Sequence, residues 1–167
     1  KVFKKIMFFY KLSGYRMAAD EAYLIIRGLR TLDTRLKQHY ENTKIVINFL
    51  KKQKKIIEIL YPYKPLSKNY KLWKKYYSGA TGLFSIVIKS KNKSSVIKFV
   101  NSLELFGIGY SWGGFESLAI LQELRASKDE YSQGRRYFRF NKDEHLVRLH
   151  IGLEEPKDLI NDLKRSL

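Results

Sequence analysis

The sequence predicts an α/β fold, a two-layer sandwich in which a small, mostly antiparallel four-stranded sheet is covered by helices. Three observations lead to this prediction. Runs with helical apolar spacing alternate along the chain with short β-rich runs. The run GLFSIVIK at 82–89 has apolar residues on both parities, which is typical of a central strand. A hydrophobic content of 44% in 167 residues is enough for one ordinary core.

The helices follow from apolar residues that recur every three or four positions. Ser13 and Gly14 end the first predicted helix, and Asp20 and Glu21 suit the start of the second. Ser94 or Ser95 is expected to cap the fourth. Pro156 is expected to begin the last helix. The predicted helices cover 1–11, 18–27, 32–52, about 94–105 and 156–167.

The strands are shorter apolar runs bounded by turn residues. They are predicted at 56–61, at 82–89, within the glycine-rich stretch 105–117 and at 146–151. Residues 118–123 are predicted as a short helical or extended piece. Residues 62–77 are expected to form a polar, aromatic loop, and 125–141 a long loop or hairpin.

Composition excludes some chemistry. The chain has no cysteine, which rules out disulfides, cysteine-based zinc sites and a thiol nucleophile. Its formal charge of +17 is uneven: residues 1–75 hold 19 basic and 5 acidic side chains, against 14 and 11 in the remainder. Scattered lysine favours a solvated surface. The alternative is a small basic module that binds RNA or another polyanion through the aromatic and lysine residues of 70–77.

The N-terminus does not have the pattern of a targeting segment. The apolar run at 6–10 is shorter than the roughly 7–15 residues of a secretory signal. No run approaches the ~20 apolar residues that span a bilayer. We therefore expect a cytoplasmic protein with no membrane partner. Because the sequence begins with Lys1, we expect it to be a segment of a longer protein.

The glycine-rich stretch LFGIGYSWGGFES at 105–117 is the first candidate site. It holds four glycines in eight residues, with Ser111 and Trp112 in front of a Gly-Gly pair. Such glycine density allows positive φ angles or a close approach of backbone to a ligand. Trp112 then forms a pocket wall, or, alternatively, anchors the core beside an ordinary turn.

The second candidate is Arg148, a lone cation in the apolar run LVRLHIGLE at 146–154. A guanidinium in such a strand needs a partner, because an unpaired buried charge is costly. Its fork suits a bidentate carboxylate. That carboxylate belongs either to a bound substrate or to an acid of the chain itself, such as Glu154. His39, beside the apolar face of the third helix, is more typical of a packing residue.

These two stretches, together with RGLRTL at 27–32 and RLKQHYEN at 35–42, resemble the C-terminal portion of the cystathionine β-lyases. Those enzymes belong to the Cys/Met metabolism family that depends on pyridoxal phosphate. The resemblance runs in order from about Tyr15 to Leu167. It implies the C-terminal domain of a fold-type I pyridoxal-phosphate enzyme at 29–167, with 1–28 as the tail of a large domain and connecting helices.

The resemblance also implies residue roles. Arg148 would hold the α-carboxylate of an amino-acid substrate, while Ser111, Trp112 and Tyr110 would line its pocket. The implied activity is a carbon–sulfur lyase that splits cystathionine to homocysteine, pyruvate and ammonia in methionine biosynthesis. The related γ-lyases and γ-synthases share much of this domain. Family members are homotetramers, and no nucleic acid is involved.

The family's chemistry needs a lysine in Schiff-base linkage with the cofactor, an aspartate at its ring nitrogen and a phosphate cup. In family members all three lie upstream of the resembling segment. We find no Ser-x-Thr-Lys-like motif and no glycine-rich phosphate loop at a helix start in this sequence. We therefore predict no catalytic, cofactor-binding or metal-binding residue in this chain, and no activity alone. It would pair with an N-terminal cofactor-binding half, or be a gene remnant.

Overall fold

The computed structural model describes residues 1–63, 69–122 and 141–167. The chain forms two compact units, Lys1–Thr34 and Arg35–Leu167. Helices and strands follow the order α1 (Val2–Ser13), α2 (Ala19–Leu29), α3 (Leu32–Leu50), β1 (Ile56–Leu60), α4 (Tyr70–Tyr76), β2 (Leu83–Lys89), α5 (Lys93–Asn101), β3 (Gly107–Ile108), β4 (Leu118–Gln122), β5 (Glu144–His150) and α6 (Pro156–Ser166).

The first unit contains α1, α2 and the start of α3. Gly14 ends α1 in the left-handed conformation, with φ of 67°, as the sequence predicts. Glu21 caps α2 by accepting a hydrogen bond from the backbone N–H of Ala18 at 2.9 Å. Neither α1 nor α2 has a buried residue. Their large apolar side chains are exposed, including Phe3, Phe9 and Ile26.

The second unit is built on one sheet with the strand order β1-β2-β5-β4-β3. The pairs β1–β2, β2–β5 and β5–β4 are antiparallel, whereas β3 and β4 are parallel. The prediction of a four-stranded sheet is therefore wrong by one strand, and the sheet is mixed. The missing strand is β4, in the segment predicted as a short helical or extended piece. Its apolar residues pair with β5 along its whole length.

Helices α3, α5 and α6 supply the other half of the core. Val46 and Leu50 from α3, Val96 from α5 and Leu159 from α6 pack with strand residues such as Leu149. The burial of these side chains stabilises each by about 1.5–3 kcal/mol relative to an exposed position. The α/β architecture with helices packed on a small sheet is therefore confirmed.

Helix α4 lies within 62–77, so the prediction of a loop is wrong at Tyr70–Tyr76. Helix α5 also differs from its predicted bounds. The N-cap of α5 is Asn92, two or three residues before the expected Ser94 or Ser95; the Asn92 side chain accepts a hydrogen bond from the Ser94 N–H at 2.9 Å. The helix ends at Asn101, four residues before the predicted Leu105. The predicted loop or hairpin at 125–141 lies outside the described residues except at Asn141.

The aromatic residues near α4 pack on one another. Tyr63 lies edge-on to Trp73 with ring centroids 4.6 Å apart, and Tyr70 stacks on Trp73 at 5.8 Å. Tyr40 of α3 also meets the Tyr63 ring, at 4.7 Å. These rings therefore fix α4 to the domain, which leaves Tyr76 as the exposed aromatic of that helix. Within the described chain, no helix has the length and hydrophobicity required to cross a membrane.

Asp162 joins α6 to the segment that leads into β3. Its buried carboxylate accepts hydrogen bonds from the backbone N–H groups of Glu104, at 3.0 Å, and Leu105, at 2.8 Å. Arg165 also donates to it at 2.7 Å. The carboxylate thus satisfies two backbone donors just after α5 and fixes where the glycine-rich stretch starts.

We predict that Asp162→Asn lowers the free energy of unfolding by about 1.5–3 kcal/mol, since hydrogen bonds to a charged acceptor are lost and one amide N–H faces a backbone donor. Urea unfolding at pH 7.5 measures this. The matched control is Glu104→Gln, which removes the other, exposed carboxylate partner of Arg165 and should change stability by less than about 0.5 kcal/mol. Equal effects of the two substitutions would contradict the assignment.

Candidate functional site

Arg148 lies in the middle of β5, opposite Ser85 of β2 and Ile120 of β4. Its neighbours Val147 and Leu149 are fully buried on one face of the sheet, so the alternation of a strand directs Arg148 to the other face. The guanidinium is partly exposed there. Its Nη2 donates a hydrogen bond to the Ser111 carbonyl oxygen at 3.3 Å. The structure therefore brings together the two stretches singled out in the sequence.

The alternative partner for Arg148, Glu154, is engaged elsewhere. Its carboxylate accepts hydrogen bonds from the Ser117 N–H at 2.6 Å and the Ser117 hydroxyl at 2.8 Å. Among the described residues, no carboxylate forms an ion pair with Arg148. The ion pair considered from the sequence is thus absent from this part of the chain. Within the described chain, the hydrogen bond found for the guanidinium is the one to the Ser111 carbonyl.

Tyr110 and Trp112 lie on the surface, with exposed fractions of 67% and 56%. The core-anchor alternative for Trp112 is therefore wrong for this chain. Ser111 is also exposed. Phe115, at 71% exposed, and Ile108, at 64%, continue the same stretch. The stretch that contacts Arg148 through the Ser111 carbonyl therefore carries four exposed apolar side chains, which we call the apolar wall.

Two buried histidines hold the segment Ser111–Trp112–Gly113–Gly114, which we call the 111–114 loop. His39 Nε2 lies 2.9 Å from the Gly114 carbonyl oxygen, and the Gly113 N–H donates to His150 Nε2 at 3.0 Å. The two rings meet edge-on, with centroids 5.0 Å apart. Gly113 has φ of 80°, so the loop needs glycine at that position.

Sequence reasoning did not assign a role to His150, nor a contact with the loop to His39. A signal for His150 was present: it lies two residues after Arg148 in a strand, so both side chains leave β5 on the same face. His39 gave no comparable signal. Its contact with Gly114 spans 75 residues of sequence, which local patterns do not report.

A second set of hydrogen bonds holds the segment 115–117, which follows the 111–114 loop. The Ser117 hydroxyl accepts a hydrogen bond from the Gly152 N–H at 2.9 Å while it donates to Glu154. The side-chain amide of Asn42 donates to the carbonyl oxygens of Gly152 and Glu154 at 3.0 and 3.1 Å. Helix α3, the 115–117 segment and the chain after β5 are thus joined by one polar network.

A metal ion or a phosphate group would need ligands of other kinds than a carboxylate does. No cluster of His, Asp or Glu that could hold a metal ion occurs in the described part of the chain. A phosphate cup needs free backbone N–H groups at a helix N-terminus. At α5 the Asn92 side chain already accepts a hydrogen bond there, and α6 begins with Pro156, which has no N–H, after the acidic Glu155. Neither helix start therefore offers a phosphate cup. The described lysines of 35–167 are all at least partly exposed. These residues fit a substrate carboxylate, but they do not fit pyridoxal phosphate itself.

The class of structure defined so far is a small α/β domain in which a partly exposed strand arginine contacts a glycine-rich stretch with exposed aromatic side chains. Comparison with known proteins makes this specific. The sequence model of the family described as Cys/Met metabolism PLP-dependent enzyme matches residues 1–167. The chain belongs to this family, whose members use pyridoxal phosphate as cofactor.

Curated relatives agree. The chain is 38% identical over 155 residues to a cystathionine beta-lyase of Bordetella avium and 39% identical over 153 residues to cystathionine beta-lyase MetC of Escherichia coli. It is 36% identical over 168 residues to an L-alanine/L-glutamate racemase of Wolbachia pipientis. These matches cover 92%, 91% and 100% of the chain but 37%, 38% and 40% of the relatives. The chain therefore spans about two fifths of their length.

Solved structures give the same fold. A cystathionine gamma synthase of Xanthomonas oryzae, in complex with aminoacrylate and cysteine, superposes with a TM-score of 0.78 at 26% identity, over 98% of this chain and 42% of that one. A Campylobacter jejuni protein assigned as an O-acetylhomoserine (thiol)-lyase superposes with a TM-score of 0.76 at 29% identity, over 98% and 36%. That structure carries a pyridoxyl-lysine monophosphate.

We predict that Gly152→Ala lowers the free energy of unfolding by about 1–3 kcal/mol, a typical cost of overpacking. An added Cβ would collide with the Phe115 carbonyl oxygen, and it would lie 2.5 Å from Glu154 Oε2 and 2.6 Å from the Glu116 carbonyl carbon. Backbone atoms cannot move aside as the end of a side chain would. Thermal unfolding followed by circular dichroism is the measurement.

The matched control for this substitution is Gly79→Ala, because a Cβ at Gly79 meets nothing within 4 Å. We expect that control to leave the unfolding transition nearly unchanged. If the midpoint of thermal unfolding is unchanged in Gly152→Ala, the 115–117 segment does not approach Gly152 as closely as the structure indicates.

Proposed function

We propose that this chain is the C-terminal part of a pyridoxal-phosphate-dependent carbon–sulfur lyase that resembles cystathionine β-lyase. Its role is to supply the carboxylate-binding side of the substrate site. The observation that carries this proposal is the guanidinium of Arg148, which lies on the exposed face of β5 against the Ser111 carbonyl and has no carboxylate partner in the described chain. The identities of 38% and 39% with two cystathionine beta-lyases support the reaction class.

The arrangement suits an amino-acid carboxylate. Arg148 presents a planar fork of donors, and a carboxylate that binds it bidentately gains two charge-assisted hydrogen bonds. The Ser111 carbonyl takes one N–H and so restricts rotation of the fork. Trp112 and Tyr110 would cover the apolar part of the substrate and exclude water from the ion pair.

The exposed apolar wall also supports a partner. Tyr110, Trp112 and Phe115 are each more than half exposed, and solitary folded domains rarely leave so many large rings together in water. We infer that a cofactor-binding half covers this wall, and that residues 1–28 belong to the large domain of that half. In the family, pyridoxal phosphate acts as the electron sink of the reaction. Its covalent lysine would come from the other half.

The relative from Wolbachia favours a second candidate of the same family. An L-alanine/L-glutamate racemase matches the entire chain at 36% identity. A racemase substrate also has an α-carboxylate, so Arg148 would serve the same purpose in either reaction. The difference between elimination at a carbon–sulfur bond and racemisation lies in the residues that contact the substrate side chain and move its proton.

We predict that the purified 167-residue chain, supplied with pyridoxal phosphate and cystathionine, releases no pyruvate, because the described lysines of its larger unit do not lie in a buried site. A coupled lactate dehydrogenase assay measures pyruvate. Release above the rate with cofactor alone would overturn the proposed dependence on another half. An antibody blot from the native cells adds the size of the polypeptide: a band above 19.8 kDa means that the two halves are one chain.

The role of Arg148 can be tested in a complete enzyme. The matched segment of the E. coli relative is replaced by this chain, and cystathionine cleavage and alanine racemisation are both assayed. We expect Arg148→Lys to raise KM for the active substrate by about 10- to 100-fold, because lysine lacks the bidentate fork. Arg165→Lys, which keeps its ion pairs at the far end of α6, is the control and should leave KM unchanged.

An unchanged KM in the Arg148→Lys chimera would contradict the carboxylate-binding role. Racemisation without pyruvate release would replace the lyase by the racemase, with the role of Arg148 intact. If the chimera does not fold, the same two substitutions in the full-length native protein give the same comparison.

A further inference from the structure

The feature that the proposed function leaves unexplained is the pair of buried histidines under the 111–114 loop. His39 is 0% exposed and His150 is 1% exposed, and each ring is hydrogen-bonded to the backbone of the loop. Burial of two titratable rings 5.0 Å apart is unfavourable unless each makes a specific hydrogen bond. Both rings direct that hydrogen bond to the backbone of the loop.

The two hydrogen bonds require opposite tautomers. A carbonyl oxygen only accepts, so His39 Nε2 must carry a hydrogen to bind the Gly114 carbonyl. A backbone N–H only donates, so His150 Nε2 must present a lone pair to Gly113. Neutral His39 is therefore protonated at Nε2 and neutral His150 at Nδ1. The Nε2–H of His39 thus donates to the Gly114 carbonyl, and the Nε2 lone pair of His150 accepts from the Gly113 N–H.

We propose that His39 and His150 are positioning residues, which hold the 111–114 loop through these opposite tautomers and thereby keep the Ser111 carbonyl on the Arg148 guanidinium, and that proton uptake by His150 releases the loop. This inference rests on the proposed function only in its final consequence, the binding of a substrate carboxylate. The contacts that carry it are the bonds from Gly113 and Gly114 and the bond from Arg148 to Ser111.

The two histidines respond differently to a proton. Neutral His39 would gain it at Nδ1, and its bond from Nε2 to the Gly114 carbonyl would remain. Neutral His150 would gain it at Nε2, where the new N–H would point at the Gly113 N–H and abolish that hydrogen bond. His150 is therefore the group whose protonation opens the loop, whereas His39 keeps its hydrogen bond to the Gly114 carbonyl.

Surrounding groups keep both rings neutral near pH 7. Burial lowers the pKa of His150 below its usual 6.5, and His39 and Arg148 lower it further. The Gly114 carbonyl and Glu154 act in the opposite direction. Burial likewise lowers the pKa of His39, Arg35 adds to this effect, and the same carbonyl and Glu154 oppose it. Neither Nδ1 atom has a hydrogen-bond partner in the described structure. A proton added at His39 Nδ1 would therefore be buried without an acceptor, which further disfavours the doubly protonated ring of His39.

The sign of the pH effect follows. A pKa that is lower in the folded state contributes stability above the usual value of 6.5, and that stability is lost as pH falls from 6.5 through the folded-state pKa. The loop should be closed at pH 7.5 and should open below the folded-state pKa of His150. Arg148 then loses its carbonyl partner, and carboxylate binding weakens in acid.

The first test reads the tautomers in the purified chain. Its three histidines are His39, His145 and His150, so a ¹⁵N-histidine-labelled sample gives only three ring patterns. At pH 7.5 we expect long-range ¹H–¹⁵N correlations to show Nε2–H for His39 and Nδ1–H for His150. The same tautomer at both, or a protonated His150 at this pH, would overturn the proposal.

The second test follows the loop itself. In a Trp73→Phe background Trp112 is the remaining tryptophan, so its fluorescence reports the 111–114 loop. Between pH 7.5 and pH 5 we expect the emission of Trp112 to shift. We also expect the protection factor of the Gly113 amide, the ratio of its intrinsic to its observed exchange rate, to fall at least about fivefold, since one hydrogen bond is lost. An unchanged emission and exchange over this range would refute proton-driven release.

Glutamine variants separate positioning from packing. His150→Gln retains an acceptor near the Nε2 position and does not titrate, so we expect a closed loop with no response to acid. His39→Gln retains a donor, so the acid response should persist. His145→Gln is the matched control, because His145 lies on the same strand but contacts the Ser90 carbonyl. A response to acid that survives in His150→Gln would overturn the assignment of His150.

These measurements need no substrate, so their outcome is separate from that of the proposed function. Opposite tautomers in a chain whose chimera lacks both activities would refute the lyase and racemase proposals and leave the loop mechanism standing. An active chimera in which His150→Gln keeps the acid rise of KM of the unsubstituted chimera would refute the loop mechanism alone.

Discussion

The register of β5 between β2 and β4 is the constraint on which the rest of the domain depends. Val147 and Leu149 are fully buried among the helices, so Arg148 and His150 leave the strand on its other face. A slip of one residue would exchange these two sets and place a guanidinium in the core. That cost is several kcal/mol for an unpaired charge. The apolar core therefore fixes the position of the two β5 side chains, Arg148 and His150, that are hydrogen-bonded to the 111–114 loop.

The loop is held mainly through its backbone, and this explains the glycine at position 113. Arg148 contacts the Ser111 carbonyl, His150 the Gly113 N–H and His39 the Gly114 carbonyl. Consecutive backbone groups reach three separate side chains only if the chain adopts a conformation such as the positive φ of Gly113. The side chains of Tyr110 and Trp112 are then left outside, where they form the wall. The hydrogen bonds to the loop backbone and the exposure of the aromatic rings therefore follow from the same loop conformation.

Much of this fold could be predicted from the sequence because its signals are local. The long β2 run, the glycine that ends α1, the periodicity of α3 and the proline that begins α6 depend on neighbours within a few residues. Strand β4 could not be predicted, since LAILQ is too short to show a period and is a strand only because β5 lies beside it. The end of α5 is similar: the Asp162 carboxylate binds the Glu104 and Leu105 N–H groups, a contact across 57 or 58 residues.

The candidate site shows the same division between local and distant information. Arg148 stands out in its strand because a charge interrupts an apolar run, and Ser111 and Trp112 stand out among glycines. Their proximity was an expectation from the resemblance, and the bond between Arg148 and Ser111 now gives it a geometry. The roles of His39 and Glu154 could not be predicted, because each depends on which partner lies across the loop. Glu154 in particular has the negative charge of an ion-pair partner, but its carboxylate accepts hydrogen bonds from Ser117.

The proposed function would separate substrate binding in this domain from chemistry in another half, and that would affect how activity depends on pH. If the cofactor and its lysine belong to another half, the groups that titrate there set the chemical step. His150 and Arg148 lie instead on one strand of this domain, two residues apart, and both contact the 111–114 loop. A proton at His150 would therefore change the affinity for the substrate carboxylate without touching the reacting atoms. An effect on KM with an unchanged kcat is what such a division produces, because an interaction that is equal in the ground and transition states alters binding alone.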